Sequence, residues 1–182
     1  MMVFCRFAVM VFLVMLGVTH AHARTPVSKQ MANQYYQTCS SKPVPGMSAQ
    51  SHQLMCACTA SKMMESFSVE DIQAMAKKDD NARFVFNRML IDVYAPCIEY
   101  PAREHYYNTC VNNPETAKFR EVPQQLCTCL ANEMGGYLKK NAQEVFKGIL
   151  ARNPTAEDPM VALTSDPEFQ LFAQRRLVAC AQ

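Results

Sequence analysis

Two cysteines one residue apart, Cys56 and Cys58 in "MCACTA", admit three kinds of chemistry. Free thiols in that spacing exchange disulfides, thiolates with sulfur and imidazole nearby hold a soft metal, and half-cystines staple their own helix to other elements. The segment "HQLMCAC" sets His52 and Met55 beside the pair, so His52, Met55, Cys56 and Cys58 form the candidate set for Cu(I) or thiol redox work. The frame returns as "LCTCLA" with Cys127 and Cys129, but there Pro123 replaces His52 and Leu126 replaces Met55. A metal site meant to recur does not recur. Redox exchange usually employs C-x-x-C beside a βαβ pattern, which this chain lacks. Structural staples are therefore the expected role, a soft-metal or thiol-redox role is the alternative, and no cofactor is expected.

Staples of this kind depend on compartment. Residues 1–23 carry one basic residue, Arg6, then the apolar run "FAVMVFLVMLGV", then Ala21 and Ala23 in an A-x-A arrangement before Arg24. That is the pattern of a cleaved secretory signal peptide. The apolar run falls short of the roughly 20 residues a membrane-spanning helix needs, so no stable membrane insertion is expected after cleavage. Export to the periplasm or the cell exterior follows, where disulfides form and persist. Cys5 leaves with the signal, and eight cysteines remain: Cys39, Cys56, Cys58, Cys97, Cys110, Cys127, Cys129 and Cys180. An even set in an exported chain predicts four bridges.

Sliding the sequence on itself by 71 residues aligns "YYQTC" at 35–39 with "YYNTC" at 106–110 and superposes the two C-x-C pairs, with 10 identities over the 29 positions 35–63. Each copy ends in a distant cysteine, Cys97 or Cys180. This periodicity predicts two four-cysteine repeats, residues 24–101 and 102–182, packed as one compact all-α unit of about four helices per repeat. Tyr35 and Cys39 recur at helical spacing with Met31, "SKPVPGMS" breaks the pattern, and Ser48 caps a second helix to about Phe67. A third short helix is expected in each repeat, capped by Ser68 with Asp71 in the first and by Asn141 with Glu144 in the second. Fourth helices are expected over "NARFVFNRMLIDVYAPC", stopping near Pro96, and over "PEFQLFAQRRLVAC". The Pro-rich connection "NPTAEDPMVALTSDP" holds the second repeat's extra residues, with room for a short helical turn.

On a helix, residues two apart diverge by about 200°, so the members of each C-x-C reach different elements. Bridges are expected to stay within each repeat, with none inside a C-x-C. Cys56 shares its face with Ala60 and Met63, and Cys127 with Ala131 and Met134, which favours Cys39–Cys56 with Cys58–Cys97, and Cys110–Cys127 with Cys129–Cys180. The opposite assignment within each C-x-C remains the alternative.

Composition narrows function by exclusion. The formal charge of +2 includes Arg6, leaving about +1 after cleavage, which offers no long-range pull toward nucleic acid. No H-E-x-x-H, G-x-S-x-G, P-loop or G-x-G-x-x-G occurs, and His52 and His105 are the histidines beyond the signal. The acidic stretches at 77–83 and 156–159 read as solvated turns rather than a hydrolase's paired carboxylates. Nine methionines remain beyond the signal and are expected mainly in the core, with a methionine-rich contact surface as the functional alternative. Of each tyrosine pair, Tyr35–Tyr36 and Tyr106–Tyr107, one ring is expected in the core, and packing alone is favoured over a contact role for the other. The expectation is an exported, non-enzymatic adaptor- or chaperone-like protein whose partner is another protein.

Overall fold

The computed structural model describes residues 24–77, 79–116 and 123–182, so the proposed signal segment lies outside the described residues. Eight α-helices are described: α1 (Lys29–Ser40), α2 (Ala49–Ser66), α3 (Val69–Met75), α4 (Asp80–Met89), α5 (Glu99–Val111), α6 (Pro123–Arg152), α7 (Pro159–Ser165) and α8 (Pro167–Cys180). No strand forms among the described residues beyond one isolated bridge between Pro26 and Ser68. No helix among them is long and apolar enough to cross a membrane.

Short polar side chains set most of the helix starts. Ser28, Ser48, Asp79, Asp158 and Asp166 each accept a backbone N–H from the first turn of α1, α2, α4, α7 and α8, satisfying donors that the helix itself leaves unpaired. Ser68 and Asp71 form a reciprocal capping box at α3, as expected from their spacing. Glu104 of α5 clamps the α2 start from outside, accepting Ser48 N–H at 2.7 Å and the Ser48 hydroxyl at 3.1 Å. Gly46, at φ 81°, supplies the left-handed residue that the α1–α2 turn needs. Its carbonyl accepts from Asn108 of α5 at 3.2 Å.

Two expected elements come out differently. α4 does not run to Pro96: it gives way to a π turn over Leu90–Tyr94 and a 3₁₀ turn over Ala95–Cys97, and α5 follows at once. Proline lacks the N–H and crowds the preceding turn, so the backbone widens before Pro96, with Ala95 N–H reaching back to Leu90. The expected cap at Asn141 does not form. α6 passes through it unbroken, and Asn141 instead donates its side-chain amide to Tyr137 C=O at 2.9 Å. Seventy-one residues after Ser68 and Asp71 stand Lys139 and Ala142, neither of which caps. The stripe Leu138, Ala142, Phe146, Ile149 and Leu150 meanwhile stays buried along α6 and holds it as one helix. The Pro-rich connection does carry a short helix, α7.

Packing follows two centres. The larger gathers Leu90, Ile98, Ala102, Leu126, Leu130, Met134, Leu138, Phe146, Leu163 and Phe169, drawing on both sides of the position between residues 101 and 102, which itself falls inside α5. Tyr106 and Tyr107, both partly buried, pack against it. The smaller centre joins Val27, Met63, Phe67, Val85 and Val93, with Met31 and Tyr35 against it. Beside it Asp71, nearly buried, pairs with Arg88 at 2.6 Å, and the Arg88 guanidinium lies 4.5 Å from the Phe67 ring centre.

Candidate functional site

Four disulfides tie the helices: Cys39–Cys56, Cys58–Cys97, Cys110–Cys127 and Cys129–Cys180. These are the pairs favoured from helix geometry. Cys39 near the end of α1 meets Cys56 across the hairpin, while Cys58, on a different face of α2, holds the turn before α5. Cys127 and Cys129 divide in the same way between α5 and α8. With Cys56 and Cys58 both in bridges, the sequence-level set His52, Met55, Cys56 and Cys58 offers no free thiolate, and its cysteines bond to opposite partners.

The structure instead draws attention to the open side of the first bridge. Tyr35 and Cys39, one helical turn apart on α1, face His52 and Met55 on α2, and the π turn presents Tyr94 beside them. Val44 and Met47 of the α1–α2 turn, Phe86 of α4, and Glu157 to Met160 at the start of α7 complete a groove of about 440 Å3. Three of the chain's methionines, Met47, Met55 and Met160, therefore serve a recess as well as packing. The far wall is anchored by α4: Asn87 donates to Pro154 C=O at 3.0 Å and Arg83 to Ala156 C=O at 3.4 Å.

The groove has few polar groups, each with a defined state or role. Burial, reinforced by Tyr35 and Asp158, pushes the Tyr94 phenol far above its ordinary range, so its hydroxyl stays protonated. Asp158 accepts Val161 N–H at 2.8 Å as the α7 cap, and Glu157 lies 3.6 Å from Arg83. His52 is buried against the bridge, and the ligand atoms of Cys39, His52 and Cys56 all lie within 4.8 Å of one another. Phe86 and Glu157 also border a neighbouring recess of about 600 Å3 with Met75, Lys77, Asp79 and Arg83. The two acidic stretches thus meet across α4, where Asp79 caps that helix and Glu157 pairs with Arg83.

Sequence reasoning assigned His52 and Met55 to one neighbourhood but missed Tyr94, Phe86 and Met160. Those three converge from α4, the π turn and α7, which no local pattern announced. The one legible sign was the Asp158-Pro159 start signal of α7. No family model matches the chain, and no curated protein or solved structure matches it.

Proposed function

We propose that this chain is an exported, non-enzymatic binding module that works in the periplasm or outside the cell and grips a segment of another protein in the Tyr35–Met55–Met160 groove. The observation that supports it is the groove itself: three thioethers and three aromatic rings around a recess of about 440 Å3, with Glu157 and Asp158 on one wall. Flexible, polarisable methionines adapt to varied apolar side chains, which suits an adaptor or chaperone-like surface. The carboxylates favour a segment with a basic residue beside its apolar anchor. Two pseudo-repeats of a four-cysteine unit give this module its frame. In support, 10 of 29 aligned positions are identical, and both hairpin bridges span a sequence separation of 17.

Selecting short peptides from a random display library on the oxidised protein tests this. Enriched peptides are expected to pair a basic residue with an apolar one, and Met55→Asp and Met160→Asp are each expected to weaken them roughly tenfold or more, the scale of a central anchor. Peptides indifferent to both substitutions would refute the groove. Turnover of a defined substrate, lost on one side-chain substitution, would refute the non-enzymatic assignment.

A further inference from the structure

The first hairpin bridge differs from the others in what stands beside it. His52 precedes Cys56 by one helical turn, so the two share a face of α2, and Cys39 meets that face from α1. The Sγ atoms of Cys39 and Cys56 and an imidazole nitrogen of His52 lie within 4.8 Å of one another. His52 and Cys56 are buried, and Cys39, Met55 and one edge of His52 border the groove. A small d10 ion takes thiolates at about 2.3 Å and imidazole at about 2.1 Å, which spaces such ligands by roughly 4 Å. In the oxidised protein the two sulfurs are bonded to each other, so they must part to reach that spacing once the sulfur–sulfur bond opens, with the imidazole already beside them. At the corresponding place in the second hairpin Pro123 precedes Cys127, so no imidazole is available there.

We propose that Cys39, His52 and Cys56 form a reductively gated Cu(I) site: a staple when oxidised, a two-sulfur, one-nitrogen metal centre when reduced. The reductant is a dithiol. Its thiolate attacks Cys39 Sγ from the groove, the bond to Cys56 breaks, and Cys56 leaves as a thiolate. The second thiol of the reductant then resolves the mixed disulfide. Two electrons and two protons pass to Cys39 and Cys56, and the dithiol leaves as a disulfide. Cu(I) replaces the two thiol protons and takes His52 as third ligand. Soft sulfur donors and a three-coordinate arrangement select Cu(I) over harder ions. This ligand set differs from the one suggested by sequence, because Cys58 is committed to Cys97 and Cys39 takes its place. The site shares Cys39 and His52 with the peptide groove but is read by metal uptake and not by peptide binding.

The test is graded reduction of the full mature protein with dithiothreitol, with Cu(I) retention measured against bicinchoninate and each cysteine's state mapped by alkylation and peptide mass. The expected result is one Cu(I) per chain, appearing in step with opening of Cys39–Cys56 and shielding both residues from alkylation. His52→Gln keeps both cysteines and is expected to lower Cu(I) affinity at least about tenfold, since even outer-shell partners of metal ligands cost 10–100-fold. Circular dichroism follows the fold throughout. Cu(I) retention unchanged by His52→Gln, retention that tracks Cys110–Cys127 or Cys129–Cys180, or a Cys39–Cys56 bridge that opens only as helicity is lost would each overturn the proposal. Preferential uptake of Zn(II) would overturn it as well.

Discussion

The two hairpins, α1–α2 and α5–α6, carry bridges of the same sequence separation, 17 residues, yet build opposite surroundings for them. In the second, Cys110 and Cys127 are both buried, and α6, 30 residues long in all, continues past the bridge through the larger core. In the first, Cys39 is only half-buried and borders the groove, and α2 stops at Ser66 because Phe67 turns extended and Ser68 starts α3. Two residues account for much of the divergence: a Ser68–Asp71 box ends one helix where Lys139 and Ala142 let the other continue. The lesson is that one cysteine frame specifies the hairpin, while capping residues a dozen positions beyond it decide whether its second helix runs on through the core or stops beside an open groove.

The largest expected effect comes from the long bridges. Replacing Cys58 and Cys97 with Ala should cost on the order of 4 kcal/mol by loop entropy, read as a lowered denaturant midpoint, because the bridge closes a separation of 39 residues. The two hairpin bridges have equal loop entropy, about 3 kcal/mol each. Double Ala replacement at Cys110 and Cys127 should nevertheless cost more than at Cys39 and Cys56, since it also voids the larger core. Equal losses would break the contrast between scaffold and site.

Asp71 comes next. Burial alone raises its carboxyl, but the Arg88 pair and the hydrogen bonds from Ser68 outweigh it and hold the group below the ordinary carboxylate range. A depressed folded-state pKa contributes stability that is present above the unfolded value, near 4, and is lost as pH falls through the folded value. The α3–α4 region should therefore loosen in acid before α6 does, since Ala142 stands in the corresponding place. Hydrogen exchange across a pH series reads this directly. Asp71→Ala, which leaves the half-buried Arg88 only its longer 4.0 Å pair with Asp92, should cost about 3 kcal/mol at neutral pH.

Smaller effects sharpen the same comparison. Ser68→Ala removes a cap and should cost about 1 kcal/mol, whereas Lys139→Ala removes no cap, only an exposed lysine's 3.6 Å pair with Glu99, and should cost about 0.5 kcal/mol. A β-carbon at Gly136 would meet nothing within 4 Å, so Gly136→Ala should stabilise α6 by roughly 0.5–1 kcal/mol. Thermal melts decide each, and a stabilising Ser68→Ala would remove the capping account of the α2–α3 break.

Much of this architecture was legible in the chain. The helical class, the hairpins and the favoured bridge pairs follow from spacing, because cysteine frames and helix periods are local. The caps at Ser48 and Ser68 were legible for the same reason. The continuity of α6 was not: "NAQE" satisfies a capping pattern, but Val145, Phe146 and Ile149 extend an apolar stripe, and tertiary burial overrides a local cap. The groove was harder still. It joins α1, α2 and α4 to the start of α7, 123 positions after Tyr35 at Asp158, and a π turn aims Tyr94 into it. Contacts at such separation leave no periodic trace.

The account's central claim is that binding belongs to the first hairpin and the α7 start, with the second hairpin as scaffold. Hydrogen exchange of the oxidised protein with and without a selected peptide tests it most directly. Protection is expected in α1, in α2 around His52 and Met55, and at 157–160, with the middle of α6 unchanged. Protection centred on α6 and α8, with the groove unaltered, would contradict it.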